Sequence, residues 1–386
     1  MPKDPIDEAD EETFPASDPP AFTGAHAGPP VHPGLLRVLI DVPPGSTDEG
    51  YFRTALARFD GRIAVTCADG DAFVRALPEA QVIVAGNLSD DQLERASQLR
   101  WLSSVAAGLD EIVTPAVLAR GVAVTSASGV HGPNIAEHLL AMILMFTRGM
   151  PKLFRAQLER RWERDARGGR SGLARPSSSR EVRNPSEGSE EDRPRSDGPG
   201  ELTGKTLLIV GLGRIGEALA ARARPFGVRV VAVKHDPESR HDAGVGVDEL
   251  LPIGALDGAL GRADHVCLTV PLTPATHHLM DARRLGRMRP SAFLYNVSRG
   301  AVIDEAALVA ALRAGKLAGA GLDVFEEEPL PAGSPLWELE NVILTPHVAG
   351  VTPLYYQRTA ALFADNLERF LAGRPLANQF DRARGY

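Results

Sequence analysis

Short apolar runs alternate along most of the chain with longer segments in which apolar residues recur every three or four positions. Runs over residues 37–42, 62–66, 81–86, 100–105 and 122–126 predict strands, because a strand covered on both faces is apolar throughout whereas an amphipathic helix is not. Strict alternation of such strands with helix-length segments predicts a parallel sheet with helices on both sides. Over residues 133–148, Ile135, Leu139, Ile143 and Phe146 fall on one helical stripe behind Gly132 and Pro133, which predicts a long helix joining this half to the next. The second half predicts six more strands, at 206–211, 229–234, 265–270, 292–298, 319–324 and 341–346, enough for a doubly wound nucleotide-binding sheet. A last helical pattern over 353–373 would return the chain to the first sheet. The prediction is α/β: two doubly wound domains, a flavodoxin-like substrate domain from residues 34–132 plus 351–386 and a Rossmann nucleotide-binding domain from residues 133–350. The active site is expected in the cleft between them, beyond the carboxyl ends of the strands.

Two stretches break the pattern. Residues 1–33 are Pro-rich with an acidic cluster from Asp7 to Glu12, and residues 163–200 are dense in Arg, Ser, Gly, Pro and Glu. Neither holds enough apolar surface to offset the entropy of ordering, so both are expected to be disordered, one as a tail and one as an insertion. Composition narrows the function. With 386 residues, 44% of them hydrophobic, the chain can build two cores. A net charge of −8 argues against broad nucleic-acid binding, which needs a basic face. No apolar run is long enough to span a bilayer, and the acidic N-terminus is unlike a secretory signal, so no membrane partner and a cytoplasmic location are expected. Cys67 and Cys267 are expected as unbridged thiols.

The most specific signal follows the predicted strand at 206–211. Gly211-Leu212-Gly213-Arg214-Ile215-Gly216 runs into a helical segment, which is the dinucleotide fingerprint in the context it requires. Gly211 would allow a tight turn, Gly213 close approach of backbone to pyrophosphate, and Gly216 close packing of helix on strand. Arg214 and Ile215 stand inside the fingerprint and are expected beside the phosphates. NAD enzymes carry a carboxylate at the end of the following strand to bind the ribose. Here Lys234 and His235 stand there, and cationic groups would favour the extra phosphate of NADP. Asp236, two residues past Lys234, keeps NAD open.

Further motifs follow in order: Thr269-Val270-Pro271-Leu272-Thr273-Pro274-Ala275-Thr276, Asn296-Val297-Ser298-Arg299-Gly300, Gly321-Leu322-Asp323-Val324-Phe325-Glu326-Glu327-Glu328-Pro329 and Thr345-Pro346-His347. With the fingerprint, they make the chain from about residue 35 to 373, insertion apart, resemble the D-isomer-specific 2-hydroxyacid dehydrogenases. The segment His131-Gly132-Pro133-Asn134-Ile135-Ala136-Glu137-His138 resembles the glyoxylate and hydroxypyruvate reductase branch. The resemblance implies an NAD(P)-dependent enzyme with a catalytic Arg299, Glu328 and His347. It also implies coenzyme contacts from Pro271, Thr276, Val297, Arg299 and Asp323, a substrate carboxylate held by backbone amides at Ala107 and Gly108, and a homodimer paired near residues 133–150.

The chemistry gives these residues reasons. Arg299 would anchor the carboxylate of a small 2-oxo acid and polarise its carbonyl with one planar fork of donors. His347 would give a proton in reduction and take it in oxidation. Glu328, hydrogen-bonded to the imidazole, would orient it. Other readings stay open: a formate- or phosphite-type dehydrogenase on the same scaffold, or a non-catalytic NAD(H)-sensing regulator, which would need neither His347 nor Glu328.

Overall fold

A computed structural model of the chain describes residues 34–109, 112–162, 200–235 and 246–381. The tail expected at 1–33 and the insertion expected at 163–200 lie outside the described residues, Gly200 excepted.

The first sheet is built from β1 (Leu36–Asp41), β2 (Ile63–Ala68), β3 (Val82–Ala85), β4 (Trp101–Ser104) and β5 (Ala123–Thr125), all parallel, in the order β2-β1-β3-β4-β5. That is the flavodoxin-like order. Alternate residues of each strand enter two separate cores. Leu39, Ile83 and Leu102 meet α2 (Gly70–Ala76), α3 (Asp90–Arg95) and α4 (Pro115–Arg120). Val38, Ile40, Val84 and Trp101 face α1 (Thr47–Leu56) and the last helix of the molecule. Both faces are therefore apolar, which is why the strands read as continuous runs.

From the first sheet the chain passes through α5 (Gly132–Thr147) and α6 (Met150–Leu158). The second sheet holds β6 (Thr206–Val210), β7 (Arg229–Lys234), β8 (Glu249–Pro252), β9 (His265–Leu268), β10 (Phe293–Asn296), β11 (Gly319–Leu322) and β12 (Val342–Leu344), again all parallel. Its order, β12-β11-β10-β9-β6-β7-β8, is the Rossmann order with one more strand at the β12 edge. One face packs on α5 and α7 (Arg214–Ala223), the other on α8 (Leu256–Leu260), α9 (Ala282–Leu285) and α10 (Glu305–Arg313). β8 was not predicted. It is a short edge strand of half-buried residues ending in an exposed proline, so it carries no apolar run to betray it.

The last helix, α11 (Tyr355–Leu371), returns to the first sheet as expected. Ala360, Phe363, Ala364 and Leu367 are buried there, with the Phe363 ring stacked on Trp101 at 5.1 Å between centroids. No helix among the described residues is long and apolar enough to cross a membrane.

Candidate functional site

In the second sheet the strand order reverses between β6 and β9, and the fingerprint lies at the carboxyl end of β6, at that switch point. The three glycines differ in what they do. Gly211 has φ +101°, and a Cβ there would lie 2.8 Å from Val270 Cγ1. A Cβ at Gly216 would lie 2.6 Å from the Gly211 carbonyl oxygen, so the α7 backbone sits directly on the turn. At Gly213, the N-cap of α7, an added Cβ would meet no protein atom within 4 Å. Thr269 Oγ1 donates to the Gly211 carbonyl at 2.6 Å and ties the end of β9 to the turn. The result is a helix N-terminus behind an open glycine cradle, which fits a pyrophosphate. Arg214 is exposed, its stem against Gly129, while Ile215 is half-buried in the core beneath. Lys234 is the last residue of β7 and His235 the exposed residue after it; Asp236 lies outside the described residues. In the loop after β9, Thr276 Oγ1 donates to the Pro271 carbonyl at 2.6 Å and accepts from the Thr273 amide at 2.7 Å, closing the turn.

Arg299, Glu328 and His347 follow the carboxyl ends of three adjacent strands, β10, β11 and β12. His347 Nδ1 and Glu328 Oε2 are 2.7 Å apart, and the other Glu328 oxygen accepts from the Phe325 amide at 3.0 Å. Arg299 is held differently. The fully buried Asn296 folds the turn, donating through Nδ2 to the Arg299 carbonyl at 2.9 Å and accepting from the Ser298 amide and hydroxyl. Gly300 then lies against the next strand's loop so closely that a Cβ would sit 1.8 Å from the Phe325 carbonyl carbon. Through that contact the Arg299 turn and the Glu328 turn are packed as one unit. Val297, on the same turn, is buried in the core beneath.

His347 has φ +52°, a left-handed conformation that costs a non-glycine residue roughly 1–2 kcal/mol. Asp323, 1% exposed, holds it there. Its carbonyl accepts from the His347 amide at 2.8 Å, Oδ1 from the Val348 amide at 2.9 Å and Oδ2 from the Ala349 amide at 2.9 Å. Thr345 Oγ1 donates to Oδ1 at 2.6 Å. Asp323, singled out in sequence as a coenzyme contact, thus also organises the turn that carries His347.

The small residues Ala106, Ala107 and Gly108 follow β4 at the carboxyl edge of the first sheet. The Ala127 amide donates to the Ala106 carbonyl at 2.8 Å, and the Tyr355 hydroxyl donates to the Val105 carbonyl. Burial pushes the Tyr355 phenol up to about 12, which keeps it a donor. The two segments that join the sheets run side by side. His131 Nδ1 donates to the Gly350 carbonyl at 2.9 Å, Asn134 Nδ2 to the Ala349 carbonyl at 2.8 Å, and Arg358 to the Val130 carbonyl at 2.9 Å. Burial lowers the His131 pKa and favours the neutral ring. Sequence reasoning gave no role to Asn296, Thr345 or His138, although each stands in a motif it singled out, nor to Tyr355. Asn296 acts within its own turn, whereas Thr345, His138 and Tyr355 reach groups far away in sequence, the first two side chain to side chain.

Residues 140–349 match the family model described as the D-isomer specific 2-hydroxyacid dehydrogenase, NAD binding domain. A glyoxylate reductase of Thermofilum pendens is 35% identical over 298 residues, 75% of this chain and 77% of that protein. A D-3-phosphoglycerate dehydrogenase of Mycobacterium bovis is 32% identical over 83% of this chain, which spans about half (55%) of that longer protein. The crystal structure of a D-isomer specific 2-hydroxyacid dehydrogenase from Xanthobacter autotrophicus Py2, in complex with NADPH and MES, is 30% identical, with a TM-score of 0.68 over 90% of this chain and 99% of that one. With the glycine cradle at the switch point and the family's motifs at adjacent strand ends, the chain belongs to the D-isomer-specific 2-hydroxyacid dehydrogenases.

Proposed function

We propose that the protein reduces a small 2-oxo acid of the glyoxylate or hydroxypyruvate kind to the D-2-hydroxy acid, with NADPH preferred to NADH. The observation that carries this reading is the 2.7 Å pair of His347 and Glu328, packed through Phe325 and Gly300 against the turn that bears Arg299. A bound nicotinamide supplies the hydride for C2. Residues of the glycine cradle, with Pro271, Thr276, Val297 and Asp323, would hold the dinucleotide. Arg299 binds the carboxylate and polarises the 2-oxo group, assisted by the amides of Ala107 and Gly108. With Nδ1 committed to Glu328, Nε2 of His347 is the atom that gives the proton to the developing alkoxide. The preference for NADPH rests on Lys234 and His235 at the end of β7, where two cationic or neutral groups replace a repelling carboxylate. A glyoxylate reductase among the relatives supports the substrate class.

Residues 34–132 with 351–386 are assigned to the substrate domain and 133–350 to the coenzyme domain. We assign the enzyme to the cytoplasm, where the free thiols of Cys67 and Cys267 suit a reducing compartment. A homodimer is supported by an exposed apolar stripe at four-residue spacing, Met150, Phe154, Leu158 and Trp162, the last two 83% and 92% exposed. The stripe begins on α6, because α5 is largely used up by packing on α7 and the sheet.

Purified enzyme assayed with NADPH and NADH against glyoxylate, hydroxypyruvate and larger 2-oxo acids tests the reading. Turnover is expected with the two small acids, and Arg299→Ala should lower it on the order of a hundredfold or more, a much larger loss than that in NADPH affinity. Failure on every acid despite tight NADPH binding would turn the assignment toward a coenzyme sensor, and a strong NADH preference would overturn the role given to Lys234.

A further inference from the structure

His138 stands on α5, 207 residues before Thr345, yet its side chain ends on the turn that carries His347. Its Nε2 lies 3.0 Å from Thr345 Oγ1 and 3.8 Å from Asp323 Oδ1. The Thr345 hydroxyl has one hydrogen, and the Asp323 carboxylate at 2.6 Å can only accept it. The Thr345 oxygen must therefore accept from His138, which fixes the His138 proton on Nε2. Asp323 in turn receives the amides of residues 347, 348 and 349. A directed line of hydrogen bonds thus runs from α5 to the left-handed turn at His347.

We propose that His138 is a positioning residue for His347, acting through the Thr345 hydroxyl and the Asp323 carboxylate. The proposal rests on the reading of His347 as the proton donor. Three features give the link its leverage. Asp323 is buried with two amides and a hydroxyl on its oxygens, so its orientation is set by those donors. Thr345 Oγ1 is engaged on both sides, giving its hydrogen to Asp323 Oδ1 and accepting from His138 Nε2. His347 needs an over-determined backbone to stay at φ +52°. Without the Nε2–H donor the Thr345 hydroxyl is less firmly aimed and its bond to Asp323 Oδ1 weakens while the Val348 and Ala349 amides keep the carboxylate in place, so the imidazole drifts slightly from the carbonyl it protonates, a displacement that costs rate rather than binding.

The test uses the full-length enzyme with NADPH and whichever of glyoxylate and hydroxypyruvate turns over faster. His138→Leu should lower kcat about tenfold, leave the KM for the acid and the affinity for NADPH within about twofold, and raise the solvent deuterium isotope effect on kcat, because proton delivery becomes slower. His138→Gln, whose amide places a donor near the same point, should restore most of the rate and the original isotope effect. Thr345→Val should repeat the His138→Leu result and serves where that variant folds poorly. An unchanged kcat and isotope effect in both His138→Leu and Thr345→Val would overturn the proposal. So would a loss of kcat that comes with equal losses of NADPH affinity and thermal stability and is not rescued by glutamine. His347→Gln separates the two readings: if it alone keeps full turnover, the proton-donor assignment fails whatever the His138 variants do.

Discussion

The turns that present Arg299 and His347 leave β10 and β12, on either side of β11 in one sheet, yet they are fixed by opposite means. The Arg299 turn is set by proximity. Gly300 lies against the backbone of Phe325 and Glu326, with a buried asparagine folding the residues before it. The His347 turn is set by charge. Buried Asp323 takes three successive main-chain donors, two on its carboxylate and one on its main-chain carbonyl, and a hydroxyl on the carboxylate besides. A steric fixture has almost no tolerance and fails as a unit, whereas a polar fixture can loosen by degrees. The division suits the tasks proposed for the two residues: a carboxylate anchor must be immobile, while an imidazole that passes a proton needs an aim that depends on hydrogen bonds.

The sharpest way to break the comparison is at Gly300. A methyl group there would overlap the Phe325 carbonyl at 1.8–1.9 Å and the Glu326 nitrogen at 2.3 Å, all of them backbone atoms with no rotamer to change. Gly300→Ala is expected to cost more than about 4 kcal/mol and to give protein that is largely insoluble, as measured by soluble yield and by urea unfolding of whatever remains. A soluble variant with native stability would show that the two loops separate easily, and the steric half of the contrast would fall.

Asp323→Ala should have the next largest effect and a different character. Two amides and the Thr345 hydroxyl lose their acceptor, at roughly 1–3 kcal/mol for each that stays unsatisfied, less what water recovers. A destabilisation of about 2–4 kcal/mol is expected, with folded, soluble protein and a kcat reduced more than a hundredfold. Asp323→Asn, which keeps one acceptor, should fall between. If the alanine variant were as stable as wild type, the carboxylate would not be what holds His347 in its left-handed conformation.

The same contrast explains what was legible in sequence. Both sheets and their helices were readable because strands covered on both faces carry unbroken apolar runs, and the fingerprint because glycine spacing records close approach directly. The predicted strands overran the true ones. Residues 269–270 and 297–298 follow β9 and β10 but were read as strand, since the chain past the ladder stays largely covered where it forms the site. Arg299, Glu328 and His347 could be named from motifs, and the structure pairs two of them. What stayed hidden was the polar support. Neither the 3.0 Å contact from His138 to Thr345 nor the Tyr355 bond to Val105 leaves a periodic or compositional trace, because a hydrogen bond between distant segments asks only for one polar atom at each end. The edge strand β8 was missed for the complementary reason, having too little burial to be written in apolar residues.

Gly213 should have the smallest effect on the fold and separates proximity to protein from proximity to a ligand. Its φ of −104° and ψ of −162° are extended, open to any residue, and a Cβ would meet no protein atom within 4 Å. Neither steric nor polar support is lost in Gly213→Ala, so stability should stay within about 0.5 kcal/mol of wild type in urea unfolding. Gly216→Ala, whose Cβ would press on the Gly211 carbonyl at 2.6 Å, should be clearly destabilised in the same assay. If the space at Gly213 exists for a pyrophosphate, the methyl group collides with the dinucleotide alone, and NADPH affinity by fluorescence titration should fall about tenfold or more while the fold is untouched. Equal affinity in wild type and Gly213→Ala would mean that the backbone at this glycine does not approach the phosphates closely. The fingerprint would then owe its form only to the packing of α7 on β6, which Gly211 and Gly216 provide by themselves.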